Sequence, residues 1–288
     1  MASLRDIKTQ IHSVKSTQQI TSAMQMVSTV KLQRAQKKIE HFIPYQQKIT
    51  ELLIRFLSSE ESNPSIYEEK REVKKVAIVA FSSNMSLCGG FNSNVSKKLI
   101  KTTQEYEHLG KENILIYAVG KKIAQTVKKL GFESEEVLNE IVNNPNYEEV
   151  IVLADKLMNR FRVGEIDEVI LIYHHFKTKG SQILLQKTLL PISFDSLIVE
   201  NQNEQIDYIV EPDKATILKE LIPKVIRLEL YSTLLESHTS EHAARSIAMQ
   251  AATDNADDIL DDLSLLYNKS RQQSITNELL DIIGATFK

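Results

Sequence analysis

The sequence predicts an α/β protein in which two long helices, one at each end of the chain, form an antiparallel coiled coil that is joined to a central α/β domain. Two observations predict this fold: both ends show apolar positions in alternating steps of three and four, and the middle alternates short apolar runs with helical segments. The 288 residues include only eight Gly and six Pro, too few for a turn-rich β architecture. We expect the coiled-coil helices at residues 1–58 and 210–288 and the central domain at residues 73–195.

The first helix is predicted from a heptad seam that starts near the amino terminus. Its positions are Leu4, Ile7, Ile11, Val14, Gln18, Thr21, Gln25, Ser28, Leu32, Ala35, Ile39 and Phe42. The middle of the seam is polar, and the apolar residues nearby lie on other faces, namely Ile20, Met24, Val27 and Val30. We therefore expect no single buried face there. Ser3 is the expected N-cap, Pro44 marks a kink or a weakening, and residues 58–64 form a linker.

The last helix is predicted from the absence of helix breakers. Between Pro223 and Gly284 there are sixty residues without Gly or Pro, enough for a helix of roughly 90 Å at 1.5 Å per residue. Such a helix needs partners along its length. Its expected seam positions are Ala252, Ala256, Ile259, Leu263, Leu266, Ser270, Ser274, Asn277 and Leu280. The two chain ends are therefore expected to pair.

The middle of the chain follows a βαβα pattern. Its expected strands are 76–81, 114–119, 169–176 and 183–190, and its expected helices are 93–109, 121–130 and 147–161. Strands that alternate with helices indicate a sheet with helices packed on it. We therefore expect a small Rossmann-like domain.

Composition excludes several classes of function. The formal charge of -3 gives no global attraction for nucleic acid, and no basic run dominates the sequence. The only cysteine, Cys88, has no internal disulfide partner, which favours a reducing compartment. Every apolar run is far shorter than the ~20 residues that span a bilayer, so no direct membrane insertion is expected. No signal peptide or transit peptide pattern opens the chain, so we expect a cytoplasmic protein that is either bacterial or a processed form supplied as mature.

One motif is typical of a metallopeptidase. His238, Glu241 and His242 fit the H-x-x-E-H pattern, in which two histidines bind zinc and the glutamate serves as general base. No third-ligand motif accompanies it, and the flanking residues predict a continuous helix. We therefore favour ordinary helix packing and expect no bound metal.

Two further patterns fall short of a binding site. The turn at residues 87–92, Leu-Cys-Gly-Gly-Phe-Asn, lies where a phosphate loop would lie but lacks the glycine spacing that nucleotide loops need. Five aspartates between residues 254 and 262 lack the order and the glycine of a calcium loop. We expect no cofactor, a buried structural role for Cys88 and a solvated acidic helix face.

Several strings of residues resemble the γ subunits of F-type ATP synthases. They are Ser3-Leu4-Arg5-Asp6-Ile7-Lys8, Thr17-Gln18-Gln19-Ile20-Thr21, Ala23-Met24-Gln25-Met26-Val27, Tyr231-Ser232-Thr233-Leu234-Leu235, Ser240-Glu241-His242-Ala243-Ala244-Arg245, Ala252-Thr253-Asp254-Asn255-Ala256 and Ile275-Thr276-Asn277-Glu278-Leu279. The turn at 87–92 also resembles the family, although the usual Asp-Arg-Gly before it is replaced by residues 84–86, Asn-Met-Ser. The cysteine-bearing insertion of chloroplast relatives is absent, so thiol switching of that type is not expected.

The resemblance implies a rotating shaft that contains no catalytic site. The coiled coil would turn inside a hexamer of alternating α and β subunits, and the α/β domain would contact the ε subunit and the membrane-embedded c-ring. Rotation would couple proton translocation to ATP synthesis and hydrolysis at the β subunits. The expected location is peripheral, at the cytoplasmic face of the bacterial plasma membrane.

The resemblance also implies five residues that couple rotor and stator: Met24, Arg245, Gln272, Thr276 and Glu278. We hypothesise that Met24 must stay uncharged, because a lysine there would add positive charge near Arg245. The alternative for each residue is ordinary coiled-coil surface. A generic coiled-coil scaffold is the alternative for the whole chain.

Overall fold

The computed structural model describes residues 4–57, 65–193, 211 and 213–286, and the chain divides into two units. One unit contains Met1–Val30 and Arg245–Lys288, and the other contains Lys31–Ala244. The expected N-cap Ser3 and the expected linker lie outside the described residues. The helices and strands are α1 (Leu4–Leu57), β1 (Val76–Phe81), α2 (Phe91–Glu105), β2 (Ile114–Val119), α3 (Lys121–Lys129), β3 (Ser134–Leu138), α4 (Glu140–Asn143), α5 (Tyr147–Val163), β4 (Glu168–Thr178), β5 (Ser181–Leu190) and α6 (Lys214–Thr286).

The predicted fold class is confirmed. A helix at each end of the chain flanks a five-stranded mixed sheet with helices. The strand order is β3-β2-β1-β4-β5, in which only β5 runs antiparallel to its neighbour. All six residues of the central strand β1 are buried, as expected for a parallel strand covered on both faces. The domain boundaries 1–58, 73–195 and 210–288 stay a prediction.

The sheet separates two apolar layers of the Lys31–Ala244 unit. On one face, α2 and α3 pack through Val95, Leu99, Ile123 and Val127. On the other face lie α5, the end of α1 and the beginning of α6, which contribute, among others, Leu53, Ile54, Leu157, Phe161, Ile226 and Leu230. Helices α2 and α3 therefore form an outer layer, on the face opposite to the terminal helices.

Neither long helix ends at its internal proline. Pro44 lies inside α1 and Pro223 lies inside α6, so the expected weakening at Pro44 does not end the helix. Beside Pro44, the edge of the Phe42 ring packs against Tyr231, with 4.9 Å between ring centroids. Nearby, Gln46 Nε2 donates to Glu229 Oε2 at 2.9 Å. Because these contacts join α1 to α6, tertiary packing offsets the backbone hydrogen bond that a proline removes.

Strand β3 was not predicted. Its sequence, Ser-Glu-Glu-Val-Leu, carries two adjacent carboxylates and lies at the edge of the sheet. Helix α5 supplies the partners: Arg160 lies 3.1 Å from Glu135, and Lys156 lies 2.8 Å from Glu136. The place of β3 in the sheet is therefore explained by its ion pairs with α5, and not by an alternation of apolar and polar residues. The short helix α4 was also not predicted.

Gly120 makes the turn from β2 into α3. Its φ is +106°, and an added Cβ would lie 2.5 Å from the backbone oxygen of Ser82. The Ser82 backbone N–H donates to Val119 O at 2.8 Å, and Ser82 Oγ accepts a hydrogen bond from the N–H of Ile123 at 3.0 Å. The close approach of the backbone segments at Ser82 and Gly120 therefore requires glycine at position 120.

His174, in the middle of β4, is buried and stacks on the Phe91 ring at 4.4 Å. Its carbonyl accepts a hydrogen bond from Ser240 Oγ at 3.1 Å, which ties the strand to α6. Burial lowers the pKa of His174 from 6.5 to about 4. The imidazole is therefore neutral in the folded protein at neutral pH.

We expect Gly120→Ala to destabilise the Lys31–Ala244 unit by about 2–4 kcal/mol, because a side chain combines an unfavourable φ with a backbone clash. Chemical denaturation measures this free energy of unfolding. Gly180→Ala is the matched control, since a Cβ there has no atom within 4 Å. Equal stability of the two variants would contradict this account of the turn.

We expect the free energy of unfolding to fall as the pH drops from about 6.5 to about 4. In that range His174 binds a proton in the unfolded chain but stays neutral in the folded chain. The loss from this group is about 2 kcal/mol at pH 5. The difference in unfolding free energy between pH 7.5 and pH 5 should shrink in His174→Phe and stay unchanged in His108→Phe, at an exposed histidine. The expectation is wrong if both variants keep the wild-type pH dependence.

Candidate functional surface on the terminal helices

The first 27 described residues of α1 pair with α6 through polar side chains at the centre of the seam. The hydroxyl oxygens of Thr21 and Thr253 lie 2.8 Å apart, and those of Thr29 and Ser246 lie 2.9 Å apart. Both members of the first pair, and Ser246, are buried. Gln18 donates to Asp257 at 3.0 Å, and Gln25 donates to Gln250. These bonds fix an antiparallel register.

The predicted α1 seam is confirmed, but the expectation of no single buried face at its centre is wrong, because Thr21 and Ser28 are buried there. From Leu4 to Phe42 every predicted seam position is buried or half-buried. On α6 the seam departs from the prediction: Ile259 and Leu266 are 48% and 46% exposed, whereas Leu260 and Tyr267 are half-buried. The covered positions of α6 are Thr253, Ala256, Leu260, Leu263, Tyr267, Ser270 and Ser274. Their steps of three and four keep the heptad spacing, so the seam passes one residue beside Ile259 and Leu266 and does not drift.

Apolar side chains of this unit point outward. Ile20, Val27 and Val30 of α1 are 60%, 57% and 48% exposed, although the seam beside them is polar. The later part of α6 shows the same feature at Leu265, Ile275, Leu279, Leu280, Ile282 and Ile283. A run of exposed apolar side chains marks a surface that a partner covers. The seam of the described unit is therefore polar at its centre and apolar farther along, for example at Ile7, and several apolar side chains lie on the outside of the unit.

The structure places Met24 and Arg245 in the paired part of the unit. Met24 is half-buried beside the polar seam. Arg245 is 6% exposed and precedes Ser246, so the register brings it level with Val30. Six residues of helix separate the two positions, which corresponds to about 9 Å along the axis.

The other three predicted residues lie farther along α6. Continuing the register brings Leu4, the first described residue of α1, level with Arg271. Gln272, Thr276 and Glu278 therefore lie past that point, and all three are exposed. The Thr276 hydroxyl donates to the carbonyl of Gln272 at 2.9 Å. The five residues thus form two groups on one helical unit, and they do not converge on a common point.

The H-x-x-E-H residues pack inside the Lys31–Ala244 unit. The rings of His238 and His242 meet edge to face at 4.5 Å, and Glu241 is 6% exposed. His238 and Glu241 line a small void with Phe81, Ser82, Val119, Val142, Leu234 and Ser237. No group of three metal ligands occurs within residues 4–57, 65–193 and 213–286. A zinc peptidase needs an open metal position, so the geometry supports helix packing.

The Leu-Cys-Gly-Gly turn is held by its own side chains. Asn92 Nδ2 donates to Ser83 Oγ at 2.8 Å and lies 3.1 Å from Cys88 Sγ, which is buried. Leu87 adopts a φ of +65°, rare for a residue with a side chain, and is 59% exposed. Asn84 Oδ1, just before this turn, accepts a hydrogen bond from the backbone N–H of Lys121 at 3.0 Å. The arrangement joins β1 to α2 and α3.

The acidic cluster of α6 is a solvated face. Its five aspartates are exposed, and two of them bond to glutamines: Asp254 with Gln250 at 2.7 Å and Asp257 with Gln18 at 3.0 Å. Across the described part of the chain, no helix is long and apolar enough to cross a membrane.

Comparison with known proteins identifies the family. A sequence profile described as ATP synthase matches residues 3–286. Proteins named ATP synthase gamma chain are 50% identical in Bacteroides thetaiotaomicron, over all of both chains, and 50% identical in Phocaeicola vulgatus, over 99% of each.

Solved structures agree with the fold. A chain of the Euglena gracilis mitochondrial ATP synthase structure with OSCP, F1 and c-ring has a TM-score of 0.68 at 20% identity, covering 99% of this chain and 93% of that one. A chain of the central stalk and c-ring structure from Tetrahymena thermophila has a TM-score of 0.59 at 22% identity, covering 81% and 99%. With the sequence matches over the full length, these findings show that the chain belongs to the ATP synthase gamma chain family.

Proposed function

We propose that the chain is the central shaft of an F-type ATP synthase. Its paired terminal helices turn inside a hexamer of α and β subunits, and the α/β domain contacts the ε subunit and the c-ring. Rotation couples proton translocation to ATP synthesis and hydrolysis at the β subunits, and the chain itself carries no catalytic group. The complex lies at the cytoplasmic face of a bacterial plasma membrane, to which this chain is peripheral.

One observation carries the proposal: at the centre of the seam in the Met1–Val30 and Arg245–Lys288 unit, polar groups bond to each other, while apolar groups of the same two helices face outward. Apolar contact is non-directional, and its favourable free energy grows with the buried area. An apolar surface can therefore slide past a surrounding sleeve without breaking specific bonds. A surface of directional hydrogen bonds would leave donors and acceptors unpaired after each movement, at about 1–3 kcal/mol each. The arrangement suits a shaft that must be held and yet must turn.

Coupling follows from differential contact. A contact shifts a conformational equilibrium only by the difference between its interaction free energies with the two states. A shaft that presents different side chains to each β subunit therefore favours a different state at each catalytic site. Half-buried Met24 and buried Arg245 act in the paired part of the shaft. Exposed Gln272, Thr276 and Glu278 act on the sleeve directly.

The generic scaffold is the weaker reading. A self-associating coiled coil is expected to keep apolar residues along the whole seam between its helices, whereas here Thr21, Thr253 and Ser246 occupy the centre of the seam. The metallopeptidase reading has no supporting geometry.

We expect ATP to drive rotation of this chain within its complex. Cys88 is the only cysteine and is buried, so Gln125→Cys, at an exposed position of α3, provides a specific attachment point for a bead. The complex is produced with the α and β subunits of the same organism and held through the β subunits. Beads should turn in steps upon addition of ATP. A stable complex that hydrolyses ATP while the beads stay still would refute the shaft.

We expect Met24→Lys to impair coupling more than folding. An ammonium group in a half-buried position costs on the order of 1–3 kcal/mol in whichever rotor positions desolvate it, which slows a rotational step roughly tenfold. The measurement is ATP-driven proton pumping relative to ATP hydrolysis in membrane vesicles. Met26→Lys is the matched control, since Met26 is 66% exposed on the same helix. Unchanged pumping in Met24→Lys would show that an uncharged residue is not required there.

A further inference from the structure

Helices α2 and α3 lie side by side as the outer layer of the Lys31–Ala244 unit. The hydroxyls of Ser96 and Thr126 lie 2.9 Å apart and join the two helices. Below them, Leu99 and Ile123 are fully buried against the sheet. The remaining sides of both helices face away from the sheet.

This layer carries a concentrated positive charge. Together the two helices contain seven lysines and one carboxylate, Glu105, for a net charge of +6. Because the whole chain has a formal charge of -3, the rest of the protein carries -9. The lysines are Lys97, Lys98, Lys101, Lys121, Lys122, Lys128 and Lys129, and we call this surface the lysine layer.

The lysine layer has no internal neutralisation. Among the described residues, none of the seven ammonium groups lies within 4.0 Å of a carboxylate. Lys97 and Lys101 are one helical turn apart, a spacing at which like charges repel. Lys121 and Lys122 occupy the first turn of α3, where the helix dipole disfavours positive charge, and Lys128 and Lys129 occupy its last turn, where the dipole favours it. The mutual repulsion of the seven ammonium groups is unfavourable for the isolated domain, and an anionic surface would relieve it.

The composition of the layer indicates what kind of anionic surface. Protein interfaces are enriched in Arg, Met and aromatic residues and depleted of Lys. Neither helix contains Arg or Met, their one aromatic residue, Phe91, is 3% exposed, and no large apolar side chain of either helix is strongly exposed. A surface of lysines alone supplies long-range attraction without a specific fit, as juxtamembrane basic segments do at anionic lipid surfaces.

We propose that the lysine layer binds the anionic phospholipid headgroups of a membrane surface. The ammonium groups attract lipid phosphates, and no side chain enters the hydrocarbon region. This binding goes beyond the proposed shaft function and does not depend on it, since it concerns only the α2–α3 face of the α/β domain.

Vesicle flotation of the full-length chain tests the proposal. The probe is vesicles of phosphatidylcholine with about 30 mol % phosphatidylglycerol, compared with phosphatidylcholine alone. The chain should bind the anionic vesicles only, and binding should disappear between about 0.05 and 0.5 M salt as screening shortens the range of attraction. The variant Lys97→Gln, Lys101→Gln, Lys128→Gln should bind roughly tenfold to a hundredfold more weakly.

The matched control is Lys48→Gln, Lys74→Gln, Lys219→Gln, which removes the same charge from exposed lysines outside the layer. It should retain wild-type binding, and far-UV circular dichroism should show that both variants are folded. Equal binding to both vesicle types, or equal loss in both variants, overturns the proposal. So does a layer variant that binds vesicles normally but fails to assemble with the α and β subunits, because the surface would then be a protein interface. Assembly is scored separately, so a failed shaft is distinguishable from a failed lipid surface.

Discussion

The register of the two terminal helices is the constraint on which the shaft depends. Hydroxyl groups at a helix seam have few other hydrogen-bond partners across it. Thr21 pairs with Thr253 at 2.8 Å, and Thr29 pairs with Ser246 at 2.9 Å. A slip along the helix axis would break these bonds between the helices, although Thr21, Thr29 and Thr253 would keep their hydrogen bonds to carbonyls of their own helices. An apolar seam would tolerate such a slip more easily. By fixing the register, the polar seam determines which outward-facing residues of α1 and α6 lie next to each other.

The α/β domain shows why a Rossmann-like strand order need not bind a nucleotide. In open parallel sheets, ligands bind outside the carboxyl ends of the strands. Here that region, at Phe81 and Val119, is packed against Leu234, Ser237 and His238 of α6. The glycine turn after β1 is filled by the side chains of Asn92 and Ser83. The domain uses the architecture to seat a helix.

Much of the fold follows from the sequence, and the exceptions have physical causes. The bounds of β1 and β2 are as predicted, because continuous apolar runs identify strands buried on both faces. Strand β3 was missed because its two glutamates are neutralised by Arg160 and Lys156 of α5, a contact that a local sequence pattern does not show. The α1 seam was predicted, but not that its polar residues bond across the seam, since register is a property of two helices. The five proposed coupling residues come from resemblance alone.

The lysine layer was missed because its two lysine groups are separated by twenty residues and meet only when α2 and α3 pack together.

The lysine layer gives one side of the Lys31–Ala244 unit a positive electrostatic potential. An average quantity such as the isoelectric point, near 6.2, conceals it. A protein with this distribution should adhere to a cation exchanger at neutral pH despite its net negative charge, because the resin meets the basic side first.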